Sequence, residues 1–320
     1  MRVLVTGGTG TLGKAVIRKL LGKTGTEFIV SVSRNEAEQV RLSASSEFRT
    51  DKLIFAAGDI RNRDLMLNLM RVNKISHVVH TAALKHVPIC EKQPSECMSI
   101  NVEGSRNILQ AASESGVQRV VMVSTDKAAQ PMNAYGLSKA LMERLMNEYD
   151  GKMGVNCTRF GNLVGSKGSV FELFLQQARE NGTVTVTDPE MTRFFIRISQ
   201  AADVVHHALG HLKSGLVFVP QMRAAVLSNF VQAVFEYARI HPKIQVIGAR
   251  PGERKHEMLV SEEEAFRSVQ IPEFSGLGLG KTSQDKPFSR GAINSSTAPK
   301  MPVDELVSML QEIDKKLERI

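Results

Sequence analysis

Short, continuous runs of apolar and largely β-branched residues recur along the first half of the chain. They cover Arg2 to Thr6, Phe28 to Val32, Leu53 to Ala57, His77 to His80, Arg119 to Ser124 and Val155 to Arg159. Runs of this kind suit strands covered on both faces. Between them, apolar residues fall three and four apart, which predicts helices over Lys14 to Leu21, near Asp64 to Val72, about Asn101 to Ser115 and about Tyr135 to Tyr149. Strands alternating with helices predict an α/β chain with a parallel sheet wound on both faces.

After about Gly165 the rhythm breaks. Val170 to Glu180 reads as a helix, Val184 to Thr187 as a strand, and Leu216 to Pro220 as a strand that rejoins the main sheet. Phe274 to Met301 is rich in Gly, Ser, Lys and Pro and reads as a long loop. Val303 to Leu317 is amphipathic and predicts a closing helix. The expected organisation is a nucleotide-binding domain over 1–165, rejoined by segments around 195–235. A smaller, interleaved C-terminal substrate-binding region spans 166–320.

Composition narrows the function classes. No apolar run approaches the roughly 20 residues of a membrane helix, and Met1 to Gly8 leads straight into a strand with no signal segment. The expectation is a cytoplasmic protein with no membrane insertion. Cys90, Cys97 and Cys157 form no Cys-x-x-Cys pair, so buried thiols are expected rather than a zinc site or disulfides. His207 and His211, four apart, lack a third ligand and read as a helix-surface pair; no metal is expected. The net charge of +8 comes from scattered Lys and Arg, and aromatic residues make up only 5%. That argues against nucleic acid and leaves a solvated basic surface, a pocket that holds several phosphates, or both.

Gly7, Gly10 and Gly13 stand three apart between the first strand and the first helix. Such a turn brings backbone N–H groups and a helix N-terminus to a pyrophosphate. In this context Gly7, Thr9, Gly10, Thr11, Leu12 and Gly13 form the dinucleotide loop of a Rossmann-type doubly wound sheet. The second strand leads into Ser33 and Arg34 where an NAD site usually has an acid. Arg34 suits a 2′-phosphate, which favours NADP over NAD. Asp59 and Ile60 follow the third strand at the adenine position, and Ala82 and Ala83 follow the fourth, where small residues admit the cofactor.

Tyr135 and Lys139 are four apart on one helix and share a face. Ser124-Thr125-Asp126-Lys127 leaves the carboxyl end of the preceding strand, so the two groups converge on the ligand crevice. An ammonium near the phenol is expected to lower its pKa from about 10, making Tyr135 a base for a hydroxyl whose carbon loses hydride.

With these residues in view, the chain resembles the soluble UDP-N-acetylglucosamine 4,6-dehydratases and the related capsular-polysaccharide dehydratase/epimerases. These belong to the extended short-chain dehydrogenase/reductase superfamily. The resemblance runs through Thr81 to Pro88, Asn101 to Gly104, Ser124 to Ala128, Tyr135 to Lys139, Arg159 to Asn162, Gly165 to Val170 (with Lys167), Met191 to Phe195 and Arg250 to Glu253. It implies Lys127 as the base at carbon 5 of a 4-keto sugar and Asp126 as the acid for the departing 6-hydroxyl, with Thr125 orienting the 4-hydroxyl. It further implies that Arg193 and Arg250 hold the nucleotide diphosphate of a UDP-sugar, and that Asn162 and Glu253 belong to the substrate site. Lys85 lies near both ligands with its role open. A homo-oligomer, at least a dimer, is implied too.

Some capsular members have methionine where this chain has Tyr135, which places it nearer the simple inverting dehydratases. Glu257 to Glu264 and Ser295 to Thr297 look closer to the capsular group. The expected activity is a C5-inverting UDP-N-acetylglucosamine 4,6-dehydratase. A nucleotide-sugar 4- or 5-epimerase of the same fold is the first alternative. A non-catalytic NADP sensor is the second, and Asp126, Lys127, Tyr135 and Lys139 argue against it.

Overall fold

A computed structural model describes residues 1–149, 151–166, 168–282, 286–289 and 291–317, the last five as backbone only. Lys167, part of one resemblance motif, lies outside the described residues. The chain is α/β. β1 (Arg2–Thr6), β2 (Phe28–Ser33), β3 (Leu53–Ala57), β4 (His77–His80), β5 (Arg119–Thr125), β6 (Gly154–Phe160) and the strand Val217–Pro220 form one parallel sheet. Its order places β4 beside β1, on the side opposite β2. The carboxyl ends of β1 and β4 therefore flank the point where the winding reverses, which is where open α/β sheets bind ligands.

The strand interiors are as apolar as the sequence requires. Val3, Leu4, Val5, Ile29, Val30, Val78 and Val79 have no measurable exposure. Helices Thr11–Leu21 and Ile198–Gly210 pack together over one face, and Arg63–Val72 packs with Gly104–Glu114 over the other. A second apolar cluster, around Phe174, Val184, Phe195, Phe230 and Leu310, organises the C-terminal region.

Several elements differ from the expected ones. The first helix begins at Thr11, not Lys14. Gly13 thus sits in its first turn, where a Cβ would collide with the Gly7 carbonyl. A helix at Glu36–Ala44, capped by Asn35, has no clear apolar stripe and escapes a periodicity search. The helix placed from Asn101 is a π turn, Ser99–Glu103, running into Gly104–Glu114, and two short helices, Val87–Lys92 and Pro94–Met98, precede it. The glycine-rich stretch after Phe274 is not all loop. Gly276–Leu279 pairs antiparallel with both Val217–Pro220 and Ser268–Gln270. Its glycines were a misleading turn signal, since a Cβ at Gly276 would collide with the Val219 carbonyl.

His207 and His211 are not a free surface pair. Their rings lie 6.2 Å apart, and both pack edge-on to Phe218, while His207 also stacks on Phe274. The three cysteines are buried free thiols. Among the described residues no helix is long and apolar enough to cross a membrane.

Arg159, 1% exposed on β6, ties the C-terminal region to the sheet. It donates to Glu143 at 3.0 Å, to Glu264 at 2.9 Å and to the Leu259 carbonyl at 3.1 Å. Glu264 in turn closes a capping box with Ser261. Removing one member of such a set leaves buried charge uncompensated. Arg159→Leu is therefore expected to cost about 3–5 kcal/mol in equilibrium unfolding, and adding Glu143→Gln and Glu264→Gln should recover much of it. A loss below about 1 kcal/mol for Arg159→Leu would contradict this account.

Candidate active site

One cleft of about 1870 Å³ opens over the carboxyl ends of β1, β4 and β5 and continues beneath the C-terminal region. A pocket for one small ligand occupies about 300–1,000 Å³, so this cleft has room for two. Its floor is the glycine turn. Gly7, at φ +68, is in the left-handed region, and a Cβ there would approach the Ala82 amide to 2.8 Å. Thr81 Oγ1 donates to the Thr6 carbonyl at 2.8 Å and so fixes the start of the Ala82–Ala83 wall. Beneath the turn, His80 shares hydrogen bonds with Thr6 at 2.7 Å and Ser105 at 3.0 Å. Burial pushes its pKa down to about 3, so it is neutral.

Thr9, Gly10, Thr11, Leu12, Gly13, Ser33, Arg34, Asp59, Ile60, Ala82, Ala83 and Lys85 all line this cleft. Gly10 caps the helix without a side chain, which leaves the helix N-terminus open to it. Arg34 is 60% exposed at the rim, its guanidinium 4.0 Å from Asp59. The Asp59 carboxyl is held below its usual value, first by hydrogen bonds from Arg61. A close-packed turn, an open helix terminus and a projecting guanidinium fit a phosphorylated dinucleotide.

The helix Ala134–Leu145 supplies Tyr135 and Lys139. Asn133 caps it by accepting from the Gly136 amide at 2.8 Å, and donates through its own amide to the Gly252 carbonyl at 2.9 Å. Gly136 lets the first turn lie against the Lys127 backbone, since a Cβ there would collide with that carbonyl. Tyr135 is thus placed beside Thr125 and Lys127, and burial pushes its phenol up to about 12 despite the Lys127 charge and a Thr125 hydrogen bond. This corrects one expectation: the phenol is raised overall, not lowered, because burial outweighs the lowering effect of the Lys127 ammonium. Lys139 donates to the Val123 carbonyl at 2.7 Å, and burial pushes it down to about 8.

Asp126 is buried and, unlike the other expected site residues, does not line the cleft. Its Oδ1 accepts from Thr125 and Lys127, both at 3.0 Å, and its Oδ2 has no partner. Burial pushes its carboxyl up, with the Lys127 charge opposing. The Lys127 ammonium also lies 3.2 Å from Glu257. Burial alone would depress Lys127, but Asp126 and then Glu257 outweigh that and hold it above its ordinary value. The expected neutral base is an ammonium in this geometry.

Glu257 was missed as a site residue, although it opens the string Glu257 to Glu264, four residues after Glu253. It is 4% exposed and lines the cleft behind Lys127 and Arg193. Arg193 donates to the Thr192 and Lys255 carbonyls at 2.9 and 3.1 Å, and it pairs with Glu253 at 3.3 Å. Glu253 also accepts from the Arg250 amide at 3.2 Å. Its carboxylate thus braces the two arginines. Arg250 is exposed at the cleft edge, and Asn162 lines it from a short strand beside Thr192–Ile196.

A solved structure, Pen from Bacillus thuringiensis, is similar to this chain at 32% identity and a TM-score of 0.89, covering 97% of this chain and 98% of that one. DesIV, a dTDP-glucose 4,6-dehydratase from Streptomyces venezuelae solved with NAD and TYD, shares the fold at 21% identity. Its TM-score is 0.76, with 99% of this chain and 98% of that one covered. A UDP-glucose 4-epimerase from Rickettsia bellii is 37% identical over 278 residues, which is 84% of this chain and 80% of the relative. Residues 3–277 match the polysaccharide biosynthesis protein family, and with that match spanning most of its length the chain belongs to this family.

Proposed function

We propose that the protein is a nucleotide-sugar 4,6-dehydratase that uses NADP and acts on UDP-N-acetylglucosamine with inversion at carbon 5. The observation that carries this reading is the Asp126–Lys127–Glu257 cluster beside Tyr135. Oxidation of a hydroxyl needs one proton acceptor, whereas elimination of water needs a second acid–base set; Tyr135 on the cleft supports the first role, and Lys127 backed by the buried Asp126 supports the second. Held by the glycine turn and Arg34, a nicotinamide cofactor would supply hydride acceptance at carbon 4 and hydride return at carbon 6.

Tyr135 takes the proton of the 4-hydroxyl, which Thr125 orients. The resulting ketone acidifies the proton on carbon 5, and Lys127 removes it. Asp126, whose carboxyl burial raises, gives a proton to the departing 6-hydroxyl, and as hydride returns to carbon 6 a proton from solvent is added to carbon 5 on the face opposite Lys127, which inverts it. Arg193 and Arg250 hold the diphosphate, and Lys85 and Asn162 flank the sugar. Both Tyr135 and Lys127 must be deprotonated to act, and both are raised, so activity is expected to climb from neutral to alkaline pH.

A second reading, a 4-epimerase, is favoured by the relatives named UDP-glucose 4-epimerase, such as the Rickettsia bellii protein at 37% identity. Incubation with UDP-N-acetylglucosamine separates the two. The dehydratase loses one water with no net change in cofactor and takes one solvent deuteron at carbon 5 in D₂O. Lys127→Ala is expected to lose dehydration by about 10²–10⁴-fold while reduced cofactor accumulates, and Tyr135→Phe should form no reduced cofactor. Isomerised sugar with no water lost and no deuterium at carbon 5 would establish the epimerase instead.

Cofactor choice rests on Arg34. Calorimetry on stripped protein is expected to show NADP binding more tightly than NAD, with Arg34→Ala eroding the gap roughly tenfold or more, the worth of a charge-assisted hydrogen bond. Equal affinities in the unaltered protein would overturn this. Self-association is supported by Leu137 and Leu141, 57% and 47% exposed on the Tyr135 helix. Light scattering at micromolar concentration should give at least a dimer, and a monomer would refute it.

A further inference from the structure

We infer that Glu257 is a positioning residue that fixes the place and the charge of Lys127, and that couples Lys127 to Arg193. Among the described residues its carboxylate is the one that pairs with both cations. Oε1 lies 3.2 Å from Lys127 Nζ and 3.8 Å from Arg193 Nε. The carboxylate is nearly inaccessible to solvent, so water does not screen these interactions.

Glu257 is itself firmly held. Its amide donates to Ser295 Oγ at 2.8 Å, and its carbonyl accepts from the Ser295 amide at 2.8 Å. Ser295 also donates to the Thr192 carbonyl at 3.0 Å, next to Arg193. The C-terminal region therefore inserts this carboxylate into a site otherwise built at the end of β5. The charged groups facing Lys127 are Asp126 on its own turn, Glu257, and Arg193 beyond it, with the Tyr135 phenol also near. Arg254 adds to the positive field on Glu257.

The sign of the effect follows. Without the Glu257 charge, Lys127 keeps one carboxylate partner and feels Arg193 uncompensated, so its ammonium becomes more acidic. An opposite charge at such a distance shifts a pKa by about one to three units. An anionic substrate group engaging Arg193 would free Glu257 to serve Lys127 alone, which makes Lys127 sensitive to occupancy of the arginine.

Competitive acetylation of Lys127 by acetic anhydride, quantified by mass spectrometry on the ligand-free full-length protein between pH 7 and 9.5, reads its neutral fraction without any need for turnover. Glu257→Gln keeps the shape and loses the charge. It is expected to acetylate at Lys127 at least tenfold faster than the unaltered protein at each pH, while labelling at Lys281 stays the same. Glu257→Asp keeps the charge at shorter reach and should fall between the two. If the Gln variant does not fold, the Asp variant carries the test alone. Labelling of the folded variant at the unaltered rate would overturn the inference.

The catalytic consequence rests on the dehydratase reading. In Glu257→Gln the alkaline rise of dehydration should begin one to three pH units lower. If labelling shifts as expected but neither protein dehydrates UDP-N-acetylglucosamine, the dehydratase reading has failed and the role of Glu257 stands. If dehydration proceeds but neither labelling nor the pH profile moves, the reverse holds.

Discussion

Parallel strands all end on the same side of a sheet, and where the order of winding reverses, the segments leaving two neighbouring strands must part. That constraint makes the cleft. β1 and β4 are hydrogen-bonded neighbours, but the chain leaves β1 towards one face and β4 towards the other. The gap is held open by small residues at the two exits, and by the Thr81 hydroxyl that clamps one exit to the other. The remaining site residues follow from this geometry. β5, adjacent to β4, delivers Thr125, Asp126 and Lys127 to the same edge, and a capped helix returns Tyr135 to them.

Charge is the second constraint. Two cations, Lys127 and Arg193, and two carboxylates, Asp126 and Glu257, share a space largely closed to water. Isolated, any of them would be costly to bury. Together they are nearly balanced: burial raises the Asp126 carboxyl, and the charges of Asp126 and Glu257 keep Lys127 an ammonium. The cluster is drawn from three distant parts of the chain, so the reaction centre is completed only when the C-terminal region has folded onto the sheet.

The sheet was legible because its strands are buried on both faces, and continuous apolar runs mark such strands clearly. The glycine turn and the Tyr135–Lys139 spacing were legible for a related reason: local geometry dictates them. What escaped were features fixed by tertiary contact. Gly276–Leu279 reads as loop because its glycines serve close approach rather than turning. The helix Glu36–Ala44 lacks a strong apolar stripe. Burial raises the Tyr135 phenol, two carboxylates raise Lys127 against burial, and no spacing along the chain reveals that Glu257 meets Lys127. The arginine of β6, Arg159, belonged to a recognised string, yet its environment is wholly structural.

Asn133 shows how tightly such a site can constrain a residue that touches no reacting atom. Its side-chain carbonyl caps the helix bearing Tyr135, while its side-chain amide grips the Gly252 carbonyl, one residue before Glu253. Aspartate and serine are good helix caps, but an ionised aspartate has no proton to offer Gly252, and serine is too short to present a donor and an acceptor on diverging paths. Glutamine has both groups at the wrong reach. Over evolutionary time this position is therefore free to drift only if the grip on the arginine-bearing loop is surrendered. Natural variation at Asn133 would thus mark chains in which the nucleotide end and the reacting end of the cleft have been uncoupled.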